Sequence, residues 1–325
     1  MSAGEVPRGE LLGQGDDWRG LLAAARARRV PHAFLIEGGL GTGKSLAARE
    51  LAAALLSGGD PGAGKRVHSG NHPDLHLLVL PEDRTEIPVE TVRELLDTLA
   101  RRPLEGGARV AIVDPADRLN EQGQNALLKT LEEPGEDAFL ILVARRPEAL
   151  LETVRSRSRR LRVRPLDDAT LRSHLTPPGD ASPGDVRLAV AGAGGSLGLA
   201  RRLLDPSLRE LAGAVDRFLA EPAPAAVHPA ASGLLGGGGG RSDQEERARD
   251  VLLLLRARLR AAVQEQLAGA GYAGYLPSRA ERCLTALDAV LAADLDLDLG
   301  VPVTQTLEGL LLRLVGVLAV GPHPA

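Results

Sequence analysis

Up to about residue 165, short apolar runs alternate with longer stretches whose apolar residues recur every three or four positions. The runs near 32–37, 75–80, 108–113, 138–144 and 160–164 have strand length. Ala108 to Val113 is nearly continuous in its apolar character, as expected of a strand covered on both faces. Helical spacing fills the intervals at Leu46–Leu56, Val89–Ala100 and Asp117–Glu133, the last weakened by Gly123 and closed by Pro134. Another helix is predicted from Pro147 to about Val154. Strand and helix in regular alternation predict an α/β fold built on an open parallel sheet.

Beyond Pro165 the rhythm changes. Short helices are predicted near 167–174, 184–192 and 196–205, then 206–219, and longer ones over 243–268, 278–293 and 304–320. The pattern predicts three domains: an α/β domain over 1–165, a small helical lid over 166–205 and an all-α domain over 206–325. A Pro/Ala stretch leading into the glycine run at 236–240 predicts a flexible loop over about 221–242.

Composition narrows the setting. The 325 residues are 44% hydrophobic and 25% charged, an ordinary globular balance. A net charge of −4 supplies no bulk attraction to nucleic acid, so any contact with DNA must come from a local patch. Aromatics are only 2%, which argues against base-stacking platforms. Cys283 stands alone, excluding an internal disulfide and a multi-cysteine zinc site. The polar, acidic start of the chain does not read as a signal peptide, and no apolar run approaches a membrane span. A cytoplasmic protein is expected.

The chemistry is concentrated in Gly38-Gly39-Leu40-Gly41-Thr42-Gly43-Lys44-Ser45, a complete G-x-x-x-x-G-K-[ST] phosphate loop between a predicted strand and a predicted helix. Glycines at 38, 39, 41 and 43 let the backbone, with that of Thr42, turn its N–H groups toward a polyphosphate. The helix N-terminus adds partial positive charge at the same point. Lys44 is expected to reach the β- and γ-phosphates and the Ser45 hydroxyl to ligate Mg²⁺. Lysine is scarce here, only Lys44, Lys65 and Lys129, so its retention in the loop is informative. Asp114, at the end of the 108–113 strand, is the expected second Mg²⁺ ligand, acting through water. Pro115 follows it and offers no general base; Asp117 reads as a helix cap or solvated residue rather than a substitute. ATP and Mg²⁺ are the expected cofactors, with weak hydrolysis by the chain alone.

Further along, Asn125-Ala-Leu-Leu-Lys-Thr-Leu-Glu-Glu-Pro134 and Leu150-Leu-Glu-Thr-Val-Arg-Ser-Arg-Ser158 resemble bacterial clamp-loader subunits of the AAA+ family. His32-Ala-Phe-Leu35 and Asn71-His-Pro-Asp74 fit the same resemblance, which is strongest over 10–165 and nearest to the δ′ type. The family implies an AAA+ domain, a lid and an oligomerising collar. It implies DNA polymerase III τ/γ and δ subunits as partners, and contact with the sliding clamp and primer–template DNA through the complex. It also implies a role for Arg157: the arginine of this Ser-Arg-Cys segment, here ending in Ser158, enters the neighbouring subunit's nucleotide site. Residues that ATPase members use are replaced, Glu by Pro115 and the sensor 2 Arg by Gly198, with Arg201 one turn away. Sensor 1 maps to Ala144–Arg145 without a clear equivalent. No cysteine occupies 57–72, where the family carries zinc, and His68, His72 and His76 do not share one predicted helix.

Other readings remain open on residues alone. A phosphate loop also suits an autonomous ATPase or small-molecule kinase, or it is vestigial in a nucleotide-free structural subunit. Arg155, Arg157, Arg159, Arg160, Arg162 and Arg164 also read as one solvated basic edge, or as a row facing duplex phosphates.

Overall fold

In the α/β part of the chain, alternate side chains of the central strands enter opposite cores. A computed structural model describes residues 11–58, 60–81, 84–105, 107–236, 240–269 and 278–318. The chain divides into two units, Met1–Leu166 and Asp167–Ala325. The first holds five strands: β1 (Ala33–Glu37), β2 (Leu75–Val79), β3 (Arg109–Asp114), β4 (Ala138–Ala144) and β5 (Arg159–Arg162). They form one parallel sheet in the order β2-β3-β4-β1-β5. Its helices are α1 (Gly15–Arg26), α2 (Lys44–Leu56), α3 (Pro61–His68), α4 (Val89–Leu99), α5 (Glu121–Glu132) and α6 (Glu152–Ser156).

Phe34 and Ile36 of β1 join Ile112, Ile141 and Val143 in a core closed by α1 and α2. Leu35, between them, points the other way and joins Val113, Leu140 and Leu142 beneath α4 and α5. A period of two with both faces apolar makes the runs continuous, and all seven residues of β4 are buried. Ala47, Ala48, Leu51, Ala52 and Leu55 bring α2 close onto the sheet. The register sets Glu37 beside Ala144 and beside Arg162, and Asp114 beside Val79. The strand ends therefore line up along one carboxyl edge, where open parallel sheets bind ligands.

Two predicted helices are broken. Instead of one helix from Asp117, a 3₁₀ turn spans Ala116–Arg118 and α5 begins after Asn120, whose Oδ1 accepts from Gly123 N at 2.8 Å. Gly123 thus sits in the capped first turn, where a Cβ would lie 3.3 Å from that Oδ1. The stretch predicted from Pro147 to Val154 divides into a 3₁₀ turn, Pro147–Ala149, and α6. The buried Gln124 causes the division: its Nε2 donates to Ala149 O at 3.2 Å and its Oε1 accepts from Leu151 N at 2.6 Å.

The second unit is helical among the described residues: α7 (Asp168–His174), α8 (Pro183–Ala193), α9 (Leu197–Leu203), α10 (Arg209–Ala220), α11 (Val227–Leu235), α12 (Arg241–Gly269), α13 (Ser278–Asp298) and α14 (Val303–Leu318). The expected flexible loop over 221–242 is corrected by α11. Val227, Ala231, Leu234 and Leu235 recur at helical spacing and enter the same core as Leu307, Leu310 and Leu314 of α14. Pro224 and Pro229 hide this helix in the sequence, but both lie at or before its first turn, where a missing N–H costs nothing. Gly236 ends it at φ 74°; Gly237 to Gly239 lie outside the described residues. The helices expected to form a lid share this unit with the C-terminal helices, and α8 crosses α12 closely at Gly192 and Ala257. No helix among the described residues is long and apolar enough to cross a membrane.

Candidate nucleotide site

The loop from Gly38 to Lys44 leaves the carboxyl end of β1 and enters α2 directly. Two of its residues, Gly41 and Gly43, hold φ of 71° and 94°, conformations that L side chains rarely adopt. At Gly38 a Cβ would lie 2.9 Å from both Val163 O and Thr42 Oγ1, so backbone crowding also requires glycine. A Cβ at Gly39 would meet Thr42 Cγ2 at 3.6 Å, an ordinary contact. Gly39 O is the loop's internal acceptor: Thr42 Oγ1 donates at 3.0 Å and Lys44 Nζ at 2.8 Å. Lys44 opens a helix of 13 residues, whose unpaired N–H groups and dipole favour an anion there. Turn, crowding and helix end together fit a polyphosphate.

Ser45 Oγ donates to Asp114 Oδ2 at 2.5 Å, joining the two expected Mg²⁺-binding groups across the gap between α2 and β3. Burial raises the Asp114 pKa, opposed by the Ser45 hydrogen bond and then by Lys44, while Asp117 adds to the rise. Lys44 is shifted down, chiefly by burial; Asp114 and Asp117 oppose the shift and Arg145 reinforces it. Arg49, one turn along α2 from Ser45, also lies within the field of Asp114. The site thus combines hard oxygen groups for Mg²⁺ with several cations, the donor set that a nucleotide–Mg²⁺ complex uses.

Asp117 corrects the reading as a cap or solvated residue. Its side chain is only 5% exposed; Oδ1 accepts from Arg145 N at 3.2 Å and Oδ2 lies 3.7 Å from Arg146 Nε. It ties the turn after β3 to the turn after β4. Asp117→Ala is expected to cost about 1–3 kcal/mol, since the Arg145 N–H loses its acceptor and the Arg146 guanidinium its counter-charge. Urea unfolding measures this, and Asp117→Asn, which keeps an acceptor for Arg145 N, should lose less.

An N-terminal segment missed in the sequence braces the loop. Glu50 of α2 accepts from Leu11 N at 2.5 Å and from Trp18 Nε1 at 2.8 Å. Leu11 Cδ1 lies 3.0 Å from where a Gly43 Cβ would stand. Gln14 exchanges two 2.9 Å bonds with the backbone of Arg164, holding the segment beside the end of β5. Pairing of a side-chain amide with a distant backbone leaves no periodic signal.

Arg157 stands elsewhere. The register pairs Arg159 with Phe34 near the amino end of β1, whereas the phosphate loop leaves its carboxyl end. Arg159 therefore lies about 13 Å along the strand direction from Gly38, and Arg157, at the C-cap of α6, precedes it by two residues. Arg157 Nη2 lies 2.7 Å from Glu132 Oε1, Nη1 donates to Thr153 O at 3.3 Å, and its side chain is 38% exposed. Ser158 is buried, with Oγ donating to Val154 O at 2.9 Å. Of the basic row, Arg159 and Arg162 are exposed on the edge strand β5, and Arg160 pairs with Glu37 at 2.8 Å. Gly198 and Arg201 both lie on α9 in the second unit. His68, His72 and His76 fall on α3, the following turn and β2. His72 Nδ1 accepts from Asp74 N at 3.2 Å, and His76 Nε2 lies 3.0 Å from Arg109 Nη1.

Residues 13–167 match the family described as DNA polymerase III, delta subunit. The chain is 36% identical over 167 residues to the DNA polymerase III subunit delta′ of Bacillus subtilis, covering 49% of this chain and 50% of that protein. It is 37% identical over 134 residues to the Pseudomonas aeruginosa subunit delta′, covering 39% and 41%. The Escherichia coli subunit delta′ is 33% identical over 195 residues, covering 56% and 58%. The chain therefore spans roughly half the length of these curated relatives. The strand–loop–helix with its Lys44, Ser45 and Asp114 lies inside the matched segment, and it is over this part that the chain is similar to the DNA polymerase III δ′ subunits.

Proposed function

We propose that the protein is a δ′-like subunit of the DNA polymerase III clamp loader, one that binds ATP and lends an arginine to a neighbour. The separation of Arg157 from the chain's own phosphate loop, at opposite ends of one sheet, carries this reading. A guanidinium so placed serves a site that another subunit brings to it. Lys44, Ser45 and Asp114 would hold the phosphates and Mg²⁺, with the backbone of Gly38, Gly39, Gly41, Thr42 and Gly43 around them. Bound Mg²⁺ would neutralise phosphate charge. Pro115 supplies no base beside Asp114, and Asp117, engaged with Arg145 and Arg146, is not placed to act as one. Weak hydrolysis by the isolated chain follows.

On this reading τ/γ and δ subunits are the partners, and the sliding clamp and primed DNA are met through the assembled complex in the cytoplasm. α7 to α9 act as the lid over 166–205 and α10 to α14 as the collar over 206–325. Mixing the purified chain with τ/γ and δ should yield a complex of defined mass; failure to join one removes the proposal. Lys44→Ala should abolish binding of a fluorescent ATP analogue by the isolated chain, measured at equilibrium.

One observation favours a second reading, a structural subunit whose loop takes no nucleotide. Lys44 is bonded to Gly39 O and Ser45 to Asp114, so these two side chains already have partners within the site. Wild-type chain that binds no analogue at millimolar concentration would establish that reading.

A further inference from the structure

We propose that the cleft between α13 and α14 binds a short zwitterionic peptide, its ammonium at Asp296 and its carboxylate at Arg313. The inference concerns the helical unit alone and is independent of the nucleotide-binding reading above.

The cleft encloses about 280 Å³, close to the lower end of small-ligand sites. α13 and α14 are joined by a short turn, in which Val301 N donates to Asp296 O at 3.0 Å. That bond sets Asp296 at the turn end of the cleft. Ala293 of α13 and Leu310 of α14, each 2% exposed, give it an apolar wall. Gly309 opens it, since a Cβ there would meet nothing within 4 Å. Gln305, Gly309 and Arg313 recur at helical spacing along α14 and so share the face that lines the cleft.

Thr306 points to a ligand. It lines the cleft at 6% exposure, and its Oγ1 has no hydrogen-bond partner among the described residues. Pro302 O, the carbonyl that a helical threonine hydroxyl ordinarily reaches, accepts from Thr306 N at 2.9 Å and not from the hydroxyl. A buried hydroxyl left so is costly unless something in the cleft meets it. Charge agrees with this. Elsewhere in the unit, arginine and aspartate on neighbouring helices close into pairs, Arg249 with Asp298 at 3.1 Å and Arg258 with Asp216 at 2.7 Å. Arg313 and Asp296 line one cleft yet pair neither with each other nor with another described side chain. From Thr306 to Arg313 is roughly two helical turns, about 10 Å along the axis. An extended peptide of about three residues spans that length. Its ammonium suits Asp296 and its carboxylate the Arg313 fork. An amide between them suits the Thr306 hydroxyl, which both donates and accepts. Small side chains fit against Leu310 and the space at Gly309.

Isothermal titration calorimetry of the full chain with trialanine is the test. Wild type should bind it with a Kd of about 1 mM or tighter. Trialanine acetylated at its amino end, or amidated at its carboxyl end, should bind about tenfold more weakly. Asp296→Asn should weaken free trialanine about tenfold yet leave the acetylated peptide within about twofold, and Arg313→Gln should do the same for the amidated one. Gly309→Leu fills the open space with a better helix former and should lose binding without a lower melting temperature. Thr306→Val keeps the shape, removes the unmet hydroxyl, and should weaken binding about fivefold while melting no earlier than wild type. No saturable binding by wild type overturns the inference, and so does equal affinity for free and blocked peptides. Undiminished binding in Thr306→Val or in folded Gly309→Leu overturns it as well, because the peptide then sits elsewhere.

Discussion

Arg157→Ala should remove hydrolysis at one nucleotide site of the assembled complex while leaving the complex intact. An arginine delivered in trans neutralises charge that develops on the transferred phosphoryl group and is worth ~10³–10⁵ in rate. On the proposed trans role, a fall of about a thousandfold is therefore expected at the neighbour's site. Loss of Thr153 and Glu132 as partners costs little, because the side chain is partly exposed and its ion pair is screened. Clamp- and DNA-stimulated ATPase of the reconstituted complex is the measurement, with the mass of the assembly as control. Arg157→Lys keeps the charge without the forked donors and should recover little. A variant complex of correct mass and undiminished ATPase would refute the trans role and return Arg157 to the basic edge. Arg159→Ala, two residues on, should leave the rate within about twofold, which separates a specific contact from the general charge of the strand.

The second large effect lies in the helical unit. Gly192→Val should destabilise it severely. A Cβ at Gly192 would stand 2.3 Å from Ala257 Cβ and 2.6 Å from Ala257 Cα, so the intruding atom meets backbone that no rotamer change can move. α8 and α12 would have to separate, and overpacking of this kind costs typically 1–3 kcal/mol, occasionally more. Two further methyl groups place valine at the upper end. For a unit of this size, ~3 kcal/mol lowers the melting temperature by roughly 6–12 °C. Calorimetry of the full chain measures it. Gly192→Ala should fall between the two, whereas Gly233→Ala, whose Cβ meets nothing within 4 Å, should be neutral or slightly stabilising. An unchanged melting temperature in Gly192→Val would show that the crossing yields more easily than its geometry implies.

The central α/β architecture was legible because its signals are local and repeated. A strand buried on both faces must be apolar throughout, and β4 appears at 138–144 in both the pattern and the structure. The phosphate loop was legible for a related reason: its work is done by consecutive residues, and Gly41 and Gly43 meet backbone demands that other residues rarely satisfy. Resemblance to clamp-loader subunits, carried by the two segments around Asn125–Pro134 and Leu150–Ser158, matches the family found over 13–167. α11 was obscured because its prolines lie where a helix tolerates them, so composition indicated a loop while burial against α14 selected a helix.

Asp117 and Gln124 show where reading the chain in one dimension ends. Each looks solvated, and each is held indoors by backbone groups 25 to 28 residues away. Strand order decides such contacts: β4 lies between β3 and β1, bringing Arg145 to the mouth of a loop that precedes it by a hundred residues of chain. Local periodicity dictates which segments become strands and helices, since every residue feels its own neighbours along the chain. Which carboxylate meets which guanidinium depends on the order in which those segments pair, and that order is a property of the packed sheet alone.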